Sequence, residues 1–178
     1  MAEVLWLWHE GGADRCVLEH AGGGHRLRGT ALLVVEKMPV EARYTVVVDR
    51  AWETREVEVL VEFPGGDLRE PVALGQLWSG AERPPELEDC VDVDLGFTPA
   101  TNTLPIRRLR LAVGASAEVA AAWLRWPELT VERLEQRYQR LASDRYRYTS
   151  GRFSTELVVN DEGLVLRYGD YWRAVANA

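Results

Sequence analysis

Sulfur and imidazole are scarce in this sequence: two cysteines, two methionines and three histidines in 178 residues. Cys16 and Cys90 lie 74 positions apart with neither a Cys-x-x-Cys nor a Cys/His spacing. That argues against a disulfide or zinc scaffold and predicts reduced thiols that behave as small hydrophobes. No apolar run approaches the roughly 18 residues that a membrane helix needs, so no membrane-spanning segment is expected. Met1-Ala2-Glu3 carries an acid where a signal peptide carries Lys or Arg, and the apolar stretch Val4 to Trp8 is five residues long. A cytoplasmic location is the expectation. Gly-x-Ser-x-Gly, Gly-x-Gly-x-x-Gly and a P-loop Gly-Lys-Ser/Thr are all missing, which removes the usual support for hydrolase and nucleotide readings. His20 and His25 flank the connector Ala21-Gly22-Gly23-Gly24, with His9 further upstream, but a third metal ligand is not evident. Neither a metal site nor a cofactor is therefore expected.

What is present is ordinary globular composition, 47% hydrophobic and 28% charged, in a length suited to one domain over 1–178. The net charge of −7 disfavours a nucleic-acid partner. The charge is uneven, however. Residues 1–89 are net −8 and residues 90–178 net +1, and the stretch 101–152 holds ten Arg against five acids. A local anion site on an acidic protein is consistent with that distribution. Oligomeric state is not legible.

The order of residues reads mostly as short strands between turns. Val4–His9, Asp14–His20, His25–Glu36 and Ala42–Asp49 are strand candidates, with Gly at the connectors and a break at Lys37-Met38-Pro39. Val57, Val59 and Val61 alternate with Glu56, Glu58 and Glu62, the pattern of a strand with one wet face. Pro64-Gly65-Gly66-Asp67 predicts a turn into a strand at Leu68–Leu74, followed by a long loop or irregular crossing from Gly75 to Asp89. Val91, Val93 and Leu95 alternate with Cys90, Asp92 and Asp94, and Ile106–Val113 reads as another strand. The one helical candidate is Ser116–Arg140, with Ser116 as cap and Ala120-Ala121-Ala122 favouring helix, interrupted by Pro127. Within it Val131–Leu141 fits either periodicity: Leu134, Tyr138 and Leu141 match a helix, Leu134, Gln136 and Tyr138 one face of a strand. Strands at Tyr146–Thr149, Ser154–Val159, Leu164–Tyr168 and Tyr171–Val175 complete about ten to twelve, mostly hairpin-linked and so antiparallel. Such a sheet must curl, split or close, and a rolled sheet can leave room for a ligand.

Few constellations carry chemistry. Asp92 and Asp94, two apart on one strand, place their Cα atoms roughly 6.5–7 Å apart, a spacing open to carboxylate pair catalysis. Ion pairing with Arg107, Arg108 or Arg110 is the stronger expectation. Arg107-Arg108 after Pro105 fits either a fork around an anionic head group or an internal salt bridge. Seven tryptophans, Trp6, Trp8, Trp52, Trp78, Trp123, Trp126 and Trp172, supply either core or the wall of a lipid or sugar pocket.

The block Cys90-Val-Asp-Val-Asp-Leu-Gly-Phe-Thr-Pro-Ala-Thr-Asn-Thr-Leu-Pro-Ile-Arg-Arg-Leu109 closely resembles the signature of the bacterial "putative glycolipid-binding" family, formerly a domain of unknown function. Asp49-Arg-Ala-Trp52-Glu-Thr-Arg55 resembles its Asp-x-x-Trp-x-Thr-Arg element, and Ala122-Trp123-Leu-Arg-Trp-Pro127-Glu-Leu, Gln136-Arg-Tyr138, Tyr146-Arg-Tyr148 and Gly163-Leu-Val-Leu-Arg-Tyr168 with Trp172 match later blocks. The resemblance thus covers nearly the whole chain. It implies a mainly β fold: an antiparallel spiral β-roll or incomplete barrel around an apolar cavity, with at most one or two short helices, similar in shape to lipoprotein-localisation carriers. It also leans Val131–Leu141 toward strand. Trp52, Arg55, Asp92, Asp94, Thr101, Asn102, Thr103, Arg107 and Arg108 match motif positions, and the resemblance implies them as ligand-binding residues. Asn102 also has a structural reading, tying its turn through backbone bonds. The expected function is non-enzymatic binding of a glycolipid or other lipid. The alternatives are an enzyme acting on a sugar or lipid head group through Asp92 and Asp94, and a protein interaction module.

Overall fold

The computed structural model describes residues 1–62, 72–79 and 84–178, the segment 72–79 by its backbone. The chain runs through β1 (Ala2–Trp8), β2 (Gly12–Ala21), β3 (Gly24–Val35), β4 (Met38–Asp49), β5 (Thr54–Glu62) and β6 (Val72–Ser79). A 3-10 turn at Pro85–Leu87, β7 (Asp92–Leu95), a second 3-10 turn at Ala100–Asn102 and the helix α1 (Thr103–Leu109) follow. The rest is β8 (Ser116–Leu124), β9 (Val131–Arg140), β10 (Arg145–Ser150), β11 (Phe153–Val159), β12 (Val165–Tyr168) and β13 (Trp172–Asn177).

Among the described residues these thirteen strands form one sheet in the order β6-β5-β4-β3-β2-β1-β13-β12-β11-β10-β9-β8-β7. Neighbours are antiparallel except β7 and β8, which are parallel. The two ends of the chain are knitted together, Glu3 and Ala178 exchanging backbone hydrogen bonds of 2.8 and 2.9 Å. The sheet curls until its edges nearly meet. At that seam the Thr54 N–H donates to the Val91 carbonyl at 3.2 Å, linking the start of β5 to the approach to β7. This is the expected incomplete barrel.

Alternation places one residue in two inward. Val4 and Trp6, Cys16 and Leu18, Leu27, Ala31 and Leu33, Val46 and Val48, and Val57, Val59 and Val61 are all buried, as the period of two demands. The interior also receives a plug, the segment 96–109, whose Phe97, Ala100, Leu104 and Ile106 are buried. Between β2, β4 and the plug lies a sealed polar knot. Asp14 is fully buried and accepts from the Tyr44 hydroxyl at 2.9 Å and the Thr98 hydroxyl at 2.5 Å. Gly29 on β3 makes this possible: a Cβ there would meet Tyr44 Cζ at 2.2 Å.

Several elements differ from the sequence reading. Ile106–Val113 is not a strand, because Thr103–Leu109 forms α1. Pro105 is tolerated in a first turn, Arg107 and Arg108 occupy the last turn where cations suit the helix dipole, and burial of Thr103, Leu104 and Ile106 supports a helix too short to stand alone. The helical candidate Ser116–Arg140 is the hairpin β8–β9. Ala121 and Ala122 sit opposite Asp92 and Val93 with no exposed surface, so side-chain size against β7 overrides helix propensity. Met38 and Pro39 belong to β4, the break being the two positive-φ residues Glu36 and Lys37, the conformation of a tight hairpin turn. Part of the expected crossing from Gly75 is strand, since β6 extends to Ser79. The predicted turn Pro64-Gly65-Gly66-Asp67 and the start of the predicted strand Leu68–Leu74 lie outside the described residues.

Candidate functional site

The signature block builds β7 and the plug, and its polar residues divide between holding the plug and facing a cleft. The Asp92 carboxylate, 1% exposed, receives the Arg108 guanidinium through two hydrogen bonds of 3.2 and 2.6 Å. This ties α1 back onto β7. Thr101 Oγ1 accepts from the Leu95 N–H at 3.2 Å. Asn102 Nδ2 donates to the Pro99 carbonyl at 3.1 Å while its Oδ1 accepts from the Tyr138 hydroxyl at 2.9 Å. Thr103 is fully buried inside the plug.

The Asp49–Arg55 element is likewise a folded turn. Asp49 Oδ1 accepts from the backbone N–H groups of Ala51 and Glu53, and its Oδ2 from Arg55 at 2.5 Å. The turn holds Trp52 at φ 69°, nearly buried, with the His25 ring stacked 4.1 Å away and the Arg107 guanidinium 5.2 Å from the ring centroid. Of the expected site residues, Trp52, Arg55, Asp92, Thr101, Thr103, Arg107 and Arg108 therefore lie away from the cleft described below, each held by contacts within the fold. Trp52 and Arg107 come together, but neither lines that cleft.

The expected anion site near Arg107 is a depression of about 340 Å³ lined also by Arg110, Arg140, Asp144, Tyr146 and Asp161. Its arginines are largely committed. Arg140 donates to the carbonyls of Leu111, Ala142 and Ser143, and Arg107 to that of Asp161. Two carboxylates share the wall, so its charge is mixed.

The contrasting feature is a cleft of about 400 Å³ between the plug and the strands β8–β13 and β1. Seven aromatic side chains line it: Trp8, Trp123, Tyr148, Phe153, Tyr168, Tyr171 and Trp172. Trp8 and Trp172 are stacked at 5.5 Å, and Phe153 is in contact with Tyr148, Tyr168 and Tyr171, the Tyr168 ring at 6.2 Å. Alternation explains the concentration, because Tyr148 on β10, Tyr168 on β12 and Trp172 on β13 all take the inward position of their strands. Polar groups come from β7 and the plug: Asp94, Thr98 and Asn102 also line the cleft. Gln136 Nε2, on the inward face of β9 with Leu134 and Tyr138, donates to Asp94 Oδ2 at 2.5 Å. Burial pushes the Asp94 carboxyl up to about 6, against the hydrogen bond from Gln136.

Two of the nine expected residues, Asp94 and Asn102, thus reach the cleft. Its aromatic wall was visible in the sequence only as a count of tryptophans and as tyrosines in matched blocks. The signal that finds it is inward parity across successive C-terminal strands. Among the described residues no group of three His, Cys, Asp or Glu side chains is placed to hold a metal ion, and no helix is long and apolar enough to cross a membrane.

The fold is shared with a solved structure. A DUF1089 family protein from Pseudomonas aeruginosa superimposes with a TM-score of 0.69 at 27% sequence identity, over 90% of this chain and 91% of that one. No curated protein matches the chain. Matched from residue 3 to residue 174, the chain belongs to the family described as "Putative glycolipid-binding".

Proposed function

We propose that the aromatic cleft binds the head group of an amphiphile, a glycolipid in the first instance, without turning it over. The observation that carries this reading is the combination of seven aromatic rings with the polar side chains of Asp94, Thr98 and Asn102 in one cleft. Ring faces pack against the C–H faces of a sugar while a few fixed polar groups orient its hydroxyls. The cleft volume of about 400 Å³ stands at the lower end of the range of roughly 300–1,000 Å³ for small-molecule sites. It suits a head group better than a long acyl chain. The other side of the barrel, from β1 to β5, is filled by its own buried side chains.

A binding role rather than a catalytic one is supported by the fate of the aspartate pair. Asp92 is engaged by Arg108 and does not line the cleft, so among the described residues Asp94 faces the cleft without the second carboxylate that paired acid–base chemistry uses. Trp8, Trp123 and Trp172 provide an intrinsic fluorescence probe. Titration with a short-chain glycolipid is expected to give saturable quenching or a spectral shift, abolished in the doubly substituted Phe153→Ala, Tyr171→Ala chain. Mass spectrometry of an organic extract, against an acidic control protein prepared identically, identifies any co-purifying ligand. Saturable glycolipid binding unaffected by the double substitution would place the ligand elsewhere and remove this reading.

A further inference from the structure

Charge is distributed around this cleft in an unusual way. Of the described side chains that line it, Asp94 is the single charged one, and no described Arg or Lys joins it, although the segment 101–152 carries ten arginines. Two residues upstream, Asp92 has its guanidinium at 2.6 Å. Asp94 has instead the neutral amide of Gln136, and among the described residues no ion pair. A carboxylate in such a setting is costly unless a counter-charge arrives. Around it stand aromatic rings, whose faces carry the negative end of the ring quadrupole and attract cations.

Resting on the reading that the cleft is the ligand site, we propose that the head group it selects bears a positive charge: an ammonium group seated among Trp8, Trp123, Tyr168 and Trp172 with Asp94 as its counter-ion. An amino sugar and a trimethylammonium head group share this chemistry. The neighbouring groups favour the same assignment. Burial raises the Tyr138, Tyr148 and Tyr168 hydroxyls above the ordinary phenol value, so they stay neutral hydrogen-bonding groups. Asp92 is compensated by Arg108. His9 lies outside, its ring 5.2 Å from that of Tyr171. Arg125, 5.3 Å from the Trp123 ring, is paired with Glu132 at 3.0 Å.

The test uses three octyl amphiphiles below their micellar concentrations: octyl glucoside, its 2-amino-2-deoxy counterpart and octyltrimethylammonium. Tryptophan fluorescence at about pH 7, where Asp94 is ionised, reads their affinities for the full chain and for Asp94→Asn. The expected result is a preference of about tenfold for at least one cationic probe over octyl glucoside. Asp94→Asn should erase that preference, lowering the affinity for the cationic probe by a larger factor than that for the glucoside. With the permanently charged probe, the preference should shrink as pH falls through about 6. That titration of the unmodified protein reads the same interaction should Asp94→Asn fail to fold. The relative strength of the two cationic probes tells an amino-sugar head group from a trimethylammonium one. Equal affinity for all three probes, or a preference that survives both Asp94→Asn and acidification, overturns the charge assignment while leaving the cleft as a glycolipid site. Absence of saturable binding by any probe overturns the cleft reading together with this inference.

Discussion

Asp14 and Asp94 are both inward-facing carboxylates pushed up to about 6 by burial, yet they serve opposite halves of the barrel. Asp14 sits among the aliphatic residues of β1–β5, closed in by the Tyr44 and Thr98 hydroxyls. Asp94 sits among the rings of β8–β13, held by one amide and open to a cleft. Branched aliphatic side chains on facing strands fill space to crystal density. On the other side, the rings of β8–β13 stand around a cleft beside the plug. The same fold thus makes a core on one side and a ligand-sized space on the other, and what distinguishes the two aspartates is the residues that surround them.

The largest expected effect tests the joint between the halves. Arg108→Ala leaves Asp92 buried without its guanidinium and should cost about 3–5 kcal/mol, read by denaturant unfolding. A cost below about 1 kcal/mol, the level of an exposed pair, would show that α1 is held by apolar packing alone.

Next in size is the sealed aspartate. Burial raises the folded pKa of Asp14 to about 6 from 3.8, so the folded state keeps a proton that the unfolded state releases. Its contribution to stability is therefore fullest below about pH 4 and falls as pH rises to about 6, by on the order of 2–3 kcal/mol, staying flat above. Asp14→Asn should remove that fall, so the stability difference between wild type and variant should change between pH 4 and pH 7 by about that amount. A difference independent of pH would mean that Asp14 is ionised throughout.

A smaller effect is expected at Gly29, where a methyl group would collide with the Tyr44 ring. Gly29→Ala should cost about 1–3 kcal/mol and lower the melting temperature, with a smaller effect on ligand binding, reached through Thr98, which the Tyr44 hydroxyl approaches at 3.3 Å. Outright loss of binding in this variant would show that the halves are strongly coupled through the plug.

The smallest effect on stability belongs to the cleft rim. Phe153 and Tyr171 are 36% and 41% exposed, so each alanine substitution should change stability by no more than about 0.5 kcal/mol while weakening the ligand. Substantial destabilisation would assign these rings to the core instead.

Much of the architecture could be read from residue order. The Val57-Val59-Val61 alternation, the glycine connectors and the turn-flanked C-terminal strands each become elements close to where the pattern puts them, because a half-buried strand leaves a period of two in sequence. The signature block was also legible as a unit, and Asn102 does tie its own turn. The helix at 103–109 was not legible. Its buried face is defined by the barrel interior, and the ion pair that anchors it joins residues sixteen positions apart. Nor was the role of the matched motif residues: most of them fix turns and the plug, and a motif shows only that a residue type recurs.

Local periodicity and turn chemistry, both properties of neighbouring residues, determined a mainly β protein whose strands mostly follow one another by hairpins. Only the tertiary structure decided that the sheet closes onto its own plug, that among the described residues Asp92 acquires an arginine while Asp94 does not, and that seven rings from seven separate positions converge on one cleft. Those outcomes depend on distances between residues far apart in the chain, which curl and register set and which composition and local spacing do not carry.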